Sequence, residues 1–108
     1  MATLQDIHDA YGELHAALKN AYWAASTIED KDRIRGLEDV VFDVLTVLNQ
    51  QDIQSRTEQY RALQSTIKFV NSKLQRLSED IDHIIHKVDV ASSITNAVAK
   101  VASIAAQL

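Results

Sequence analysis

From Ile53 to Val88 a residue of one kind recurs at every third or fourth position: Ile53, Tyr60, Leu63, Ile67, Val70, Leu74, Leu77, Ile81, Ile84 and Val88, with Arg56 the only polar member. An alternation of two would describe a strand. A three-four repeat held over five heptads describes one long helix with one apolar seam, and such a repeat winds into a left-handed supercoil. Unbroken over 53–88, it makes a rod about 54 Å long at about 1.5 Å per residue. The chain has no Pro and only two Gly, so the residues that punctuate hairpins and tight turns are nearly missing. One feature argues for a break: Lys73 and Arg76 followed by Ser78-Glu79-Asp80 have the charge order of a helix end and a fresh cap near 78. The seam keeps its phase through that point, which favours continuity.

Three further helices flank this one in the sequence. Leu4, Ile7, Tyr11, Leu14, Leu18, Ala21, Ala25 and Ile28 share the three-four spacing, with Thr3 as N-cap and Asp6 three residues on, which predicts a helix over 4–28. Phase is lost in Glu29-Asp30-Lys31-Asp32-Arg33, where Thr27 and Asp30 resemble a capping pair; Gly36 is a rival boundary. The second helix is expected over 31–50. Its seam of Ile34, Leu37, Val41, Val44 and Leu48 is widened by Val40, Phe42, Leu45 and Val47, so it should be the most buried element or face a partner chain. Asp52 or Ser55 can cap the third helix, and the last spans 90–107. The whole reads as a single domain over 1–108: all-α, an antiparallel bundle or coiled coil of three to four helices.

Composition narrows the function. Without Cys there is no disulfide, thiolate metal site or cysteine nucleophile. The N-terminus has no basic and apolar leader, so cytoplasmic residence is the simplest reading, with export by a route lacking a cleaved signal left open. The net charge of -4 disfavours nucleic acid, and the basic segment Arg56 to Arg76 has no groove-reading motif. Charge is nonetheless segregated. Residues 36–52 carry Glu38, Asp39, Asp43 and Asp52 with no base, whereas 53–77 carry Arg56, Arg61, Lys68, Lys73 and Arg76 against Glu58 alone. Neighbouring antiparallel helices two and three are expected to match these signs, although exposed pairs are worth only about 0–1 kcal/mol each.

No Ser-His-Asp arrangement or Gly-rich phosphate loop is present, so no catalytic residue and no cofactor is assigned, and the chain reads as a non-enzyme. Glu79, Asp82, His83 and His86 fall at i, i+3, i+4 and i+7, the spacing of metal ligands on one helix face. That face is opposite the seam, where nothing orients the ligands, so they are weak candidates. Trp23 projects to the side of the first helix and marks either packing or a partner site. Residues 90–108 have Lys100 as their only charge, so Ile94, Val98, Val101 and Ala105 form an apolar side expected to be covered by protein, either the chain's own core or an oligomer partner. Small residues there allow close helix approach.

In length and lack of Cys the chain resembles the small secreted Trp-x-Gly helical-hairpin proteins and the needle or chaperone subunits of secretion systems. Trp23 is followed by Ala24 and Ala25 and no Gly, so no family assignment follows. The expected function is a helical interaction or assembly protein that self-associates or docks a helical partner. The alternatives are a membrane-active component using residues 90–108 and a helical metal-binding protein.

Overall fold

The computed structural model describes residues 3–49 and 56–106. They form four helices and no strand: α1 (Leu4–Ala24), α2 (Ile28–Leu48), α3 (Thr57–Ile84) and α4 (Val88–Ala105). Three-residue connections join α1 to α2 and α3 to α4, which forces each pair to run antiparallel. α1 lies against α2 and α4, and α3 lies against the same two helices, so the packing closes into a four-membered ring. The Cα radius of gyration is 13.9 Å, with extents of 43 × 25 × 18 Å. A globular chain of this length has a radius of about 13 Å, so the body is a short rod.

Local chemistry explains the helix starts. Thr3 and Asp6 form a reciprocal capping box: the Asp6 amide donates to Thr3 Oγ1 at 3.2 Å and the Thr3 amide donates to Asp6 Oδ2 at 3.0 Å. Thr27 caps α2, its Oγ1 accepting from the Asp30 amide at 3.1 Å. This cap corrects two expected boundaries, since α1 stops at Ala24 rather than 28 and α2 starts at 28 rather than 31. Ile28 continues the three-four count of the first helix, but the capping threonine needs extended backbone, and Ile28 ends up 75% exposed in the first turn of α2. Gly36 is no boundary, because α2 runs through it without a positive φ.

α3 is continuous through Ser78. Ile53, Asp52 and Ser55, expected seam and cap residues, lie outside the described residues. The helix ends at Ile84 rather than 88, where Ile85 turns extended and is buried in place of Val88, which is 78% exposed at the start of α4. Ile85 pairs with Ala25 in an antiparallel bridge, and both the amide and the hydroxyl of Ser26 donate to the Ile84 carbonyl at 3.3 and 3.2 Å. The two short connections are thus stitched together at one end of the rod, and α4 begins at 88 rather than 90.

The core is a continuous apolar column. α3 contributes Leu63, Ile67, Val70, Leu74, Leu77, Ile81 and Ile84, and α1 contributes Ile7, Ala10, Tyr11, Leu14, Leu18 and Ala21. Tyr11 is wholly buried, and its hydroxyl donates to Asn71 Oδ1 at 2.7 Å, linking α1 to the diagonal helix α3. Burial pushes the Tyr11 phenol well above the usual tyrosine range. Helix two is not the most buried element. α2 buries the ordinary stripe of Ile34, Leu37, Val41, Val44 and Leu48, leaving Val40, Leu45 and Val47 half-buried and Phe42 exposed.

Candidate protein-interaction surface

Of the two covers expected for the last helix, core or oligomer partner, the apolar residues take the core. Ile94, Val98 and Val101 of α4 are buried in the core, and half-buried Ala105 packs against it. The apolar side of α4 is therefore covered by the chain's own helices. Among the described residues no helix is long and apolar enough to cross a membrane.

The metal-ligand spacing also fails to form a site. Because α3 ends at Ile84, His86 leaves the helix and sits in the connection, so the four residues no longer share one helical face. Glu79, Asp82, His83 and His86 are all exposed, and among the described residues no group of three or more His, Cys, Asp or Glu is arranged to hold a metal ion. On α1, His15 Nε2 lies 3.9 Å from Glu38 Oε1, and its ring lies 5.9 Å from that of Phe42. His8 Nδ1 is buried without a hydrogen-bond partner.

Trp23 remains on the surface, 77% exposed, with its ring set edge-on against Tyr22 at 5.1 Å. The last turn of α1 holds no cation of its own. Lys31 of α2 supplies one: its Nζ donates to the Tyr22 carbonyl at 2.9 Å and lies 5.1 Å from the Tyr22 ring centroid. The Arg35 guanidinium lies 4.4 Å from the same ring. These contacts satisfy an orphan carbonyl and place positive charge at the negative end of the α1 dipole.

The segregated charges do not meet as expected. Glu38 turns toward α1, near His15 and 3.7 Å from Arg35 Nε. Among the described residues the ion pair between α2 and α3, Arg33 to Asp80 at 3.1 Å, has its base on the acidic segment's helix and its acid on the other. Asp39 and Asp43 of α2 and Arg61, Lys68, Lys73 and Arg76 of α3 make no ion pair with one another. The cause is rotational. Both helices turn their apolar seams to the core, which carries these charges to the outside, and Lys68 lines a recess against α4 rather than α2.

Between α2 and α3 lies a groove of about 470 Å³ with Leu37 and Val40 on its α2 side and Phe69 on its α3 side. Asp32, Arg33, Lys73 and Arg76 stand around it, and Gly36 opens its α2 wall. Phe69 is 60% exposed, with Lys73 Nζ 5.0 Å from its ring centroid. Phe69 was not among the residues singled out from the sequence, although the signal is there: it immediately precedes seam residue Val70 and so must project off the seam. The chain matches no protein-family model, no curated protein and no solved structure, so a functional reading rests on these surfaces alone.

Proposed function

We propose that this chain is a non-enzymatic helical interaction protein that self-associates or docks a helical partner, acting without a cofactor and in the cytoplasm. The observation that carries the reading is the division of its apolar residues. The seams are consumed inside the four helices, yet Phe42 and Phe69 stand 56% and 60% exposed on outer faces, with Lys73 and Arg76 beside the second of them making no ion pair among the described residues. Isolated exposed apolar residues are ordinary, but an aromatic in a groove ringed by charge is the anatomy of a binding surface. The finer architecture belongs to the same proposal: the buried residues of α3 step by four and three without interruption from Leu63 to Ile84, the spacing for coiled-coil packing against its neighbours.

Molar mass by light scattering across a concentration series tests it. A mass that rises toward a multiple of the chain mass is the expected result, and a monomer at every concentration removes self-association. A membrane role would draw on the Ala, Val and Ile side of α4, which the core already occupies. Flotation with anionic vesicles is expected to leave the protein unbound, and co-flotation would put the membrane reading first.

A further inference from the structure

We infer that the outer face formed by α2 and α3 is a two-fold homodimer surface, on which α2 of one copy lies over α3 of the other. The inference rests on the self-association reading above and names its surface. Asp32, Gly36, Val40 and Asp43 of α2 follow one another at steps of four, four and three, a single stripe along the helix. Phe69, Lys73 and Arg76 form the matching stripe on α3, and a groove lies between the two helices, bounded by Asp32, Gly36 and Val40 on one side and this stripe on the other; Arg33, the base on its α2 wall, is held by Asp80 at 3.1 Å. Asp32 and Asp43 on one side, and Lys73 and Arg76 on the other, make no ion pair among the described residues.

A face with an acidic row beside a basic row is poorly matched by any partner of uniform charge. It is well matched by itself. A two-fold axis parallel to the helices exchanges left and right while keeping height, so the acidic row of each copy falls on the basic row of the other. Because α2 and α3 run antiparallel and line the groove together, residues at one height in one copy meet at that height across the axis. Asp32 then lies near the level of the partner's Arg76, Gly36 near that of the partner's Lys73, and Val40 near that of the partner's Phe69. Gly36 suits this role. A glycine weakens a helix interior, no positive φ demands it, and an added Cβ would meet nothing within 4 Å in the free chain. The space it leaves is at the surface, where an incoming side chain fits.

The size of the face sets the strength. Two adjacent helices, about 30 Å long and together about 20 Å wide, offer on the order of 600 Å² per copy, at the lower edge of specific interfaces. The dimer is therefore weak, in the micromolar range, and weakens with salt.

The test uses the full chain and two charge-reversed forms, Asp32→Lys with Asp43→Lys and Lys73→Glu with Arg76→Glu, each checked by circular dichroism for unchanged helicity. The wild-type chain is expected to reach twice the monomer mass in sedimentation at low salt. Each reversed form alone is expected to stay monomeric, and an equimolar mixture of the two is expected to recover the doubled mass. Gly36→Leu, which fills the recess without touching the core, is expected to raise the dissociation constant at least about tenfold, the loss typical of a blocked interface centre. A dimer indifferent to all three changes overturns this face while leaving self-association standing. A wild-type monomer at every concentration overturns both. Reversed forms that are monomeric but do not recover a dimer on mixing overturn the charge-matched arrangement.

Discussion

Tyr11 and Asn71 make a polar contact between α1 and α3 across the apolar column, and its chemistry is asymmetric. Tyr11→Phe removes a donor and leaves a half-buried amide with access to other partners, at a cost of about 1 kcal/mol. Asn71→Leu strands a fully buried hydroxyl and should cost more, about 1–3 kcal/mol; urea unfolding of both variants checks the order. The same residue sets a pH dependence. A phenol whose folded-state pKa is raised contributes stability that is complete below the unfolded value near 10 and is lost as pH rises above it. Wild-type stability should therefore fall more steeply than that of Tyr11→Phe between about pH 9 and about pH 11, and parallel curves for the two would deny Tyr11 the effect. Tyr11 was legible as a core residue from its place on the seam, and Thr3 and Thr27 as caps from their side chains. The Asn71 contact was not, because a polar residue one position past Val70 gives no sign in sequence of what stands across the core.

Helices three and four show what periodicity reads well and where it misleads. The seam from Leu63 to Ile84 is read correctly, including its continuity past Ser78, because seven buried side chains must stay on one side of a single helix. The helix ends are misread wherever an apolar residue happens to extend the count. Ile28 and Val88 both keep the three-four spacing, yet both belong to the first turn of the following helix and are exposed. Thr27 is what decides the first case, so Thr27→Ala should destabilise the chain by about 1 kcal/mol, seen as a lower thermal midpoint with no change in core packing. Gly36 offers the opposite sign. Gly36→Ala adds a methyl that meets nothing within 4 Å and should raise monomer stability by about 0.8–1 kcal/mol. Measured by thermal unfolding at low concentration, a loss of stability instead would mean that the α2 backbone depends on this glycine.

The ring of four helices explains why the charge-poor C-terminal segment was ambiguous. A helix that buries one side looks the same in sequence whether its cover is a neighbouring chain, a bilayer or its own fold, and only the closure of α4 onto α1 and α3 separates these. Short connections make α1–α2 and α3–α4 pairs legible, whereas the α1–α4 contact joins the two ends of the described chain and leaves no local trace. That contact makes α4 structural. Ile94, Val98 and Val101 together bury three aliphatic side chains worth about 2 kcal/mol each, so about 6 kcal/mol in all, against a total stability of roughly 5–15 kcal/mol for a domain. Ending the chain at Val90 should thus abolish cooperative unfolding and expose the facing seams of α1 and α3. The expected readings are a broad thermal transition, strong binding of an apolar dye and a tendency to aggregate. If the shortened chain instead kept its helicity and a sharp transition, three helices would suffice for the core, and α4 would be free to serve as the interaction element that its composition first suggested.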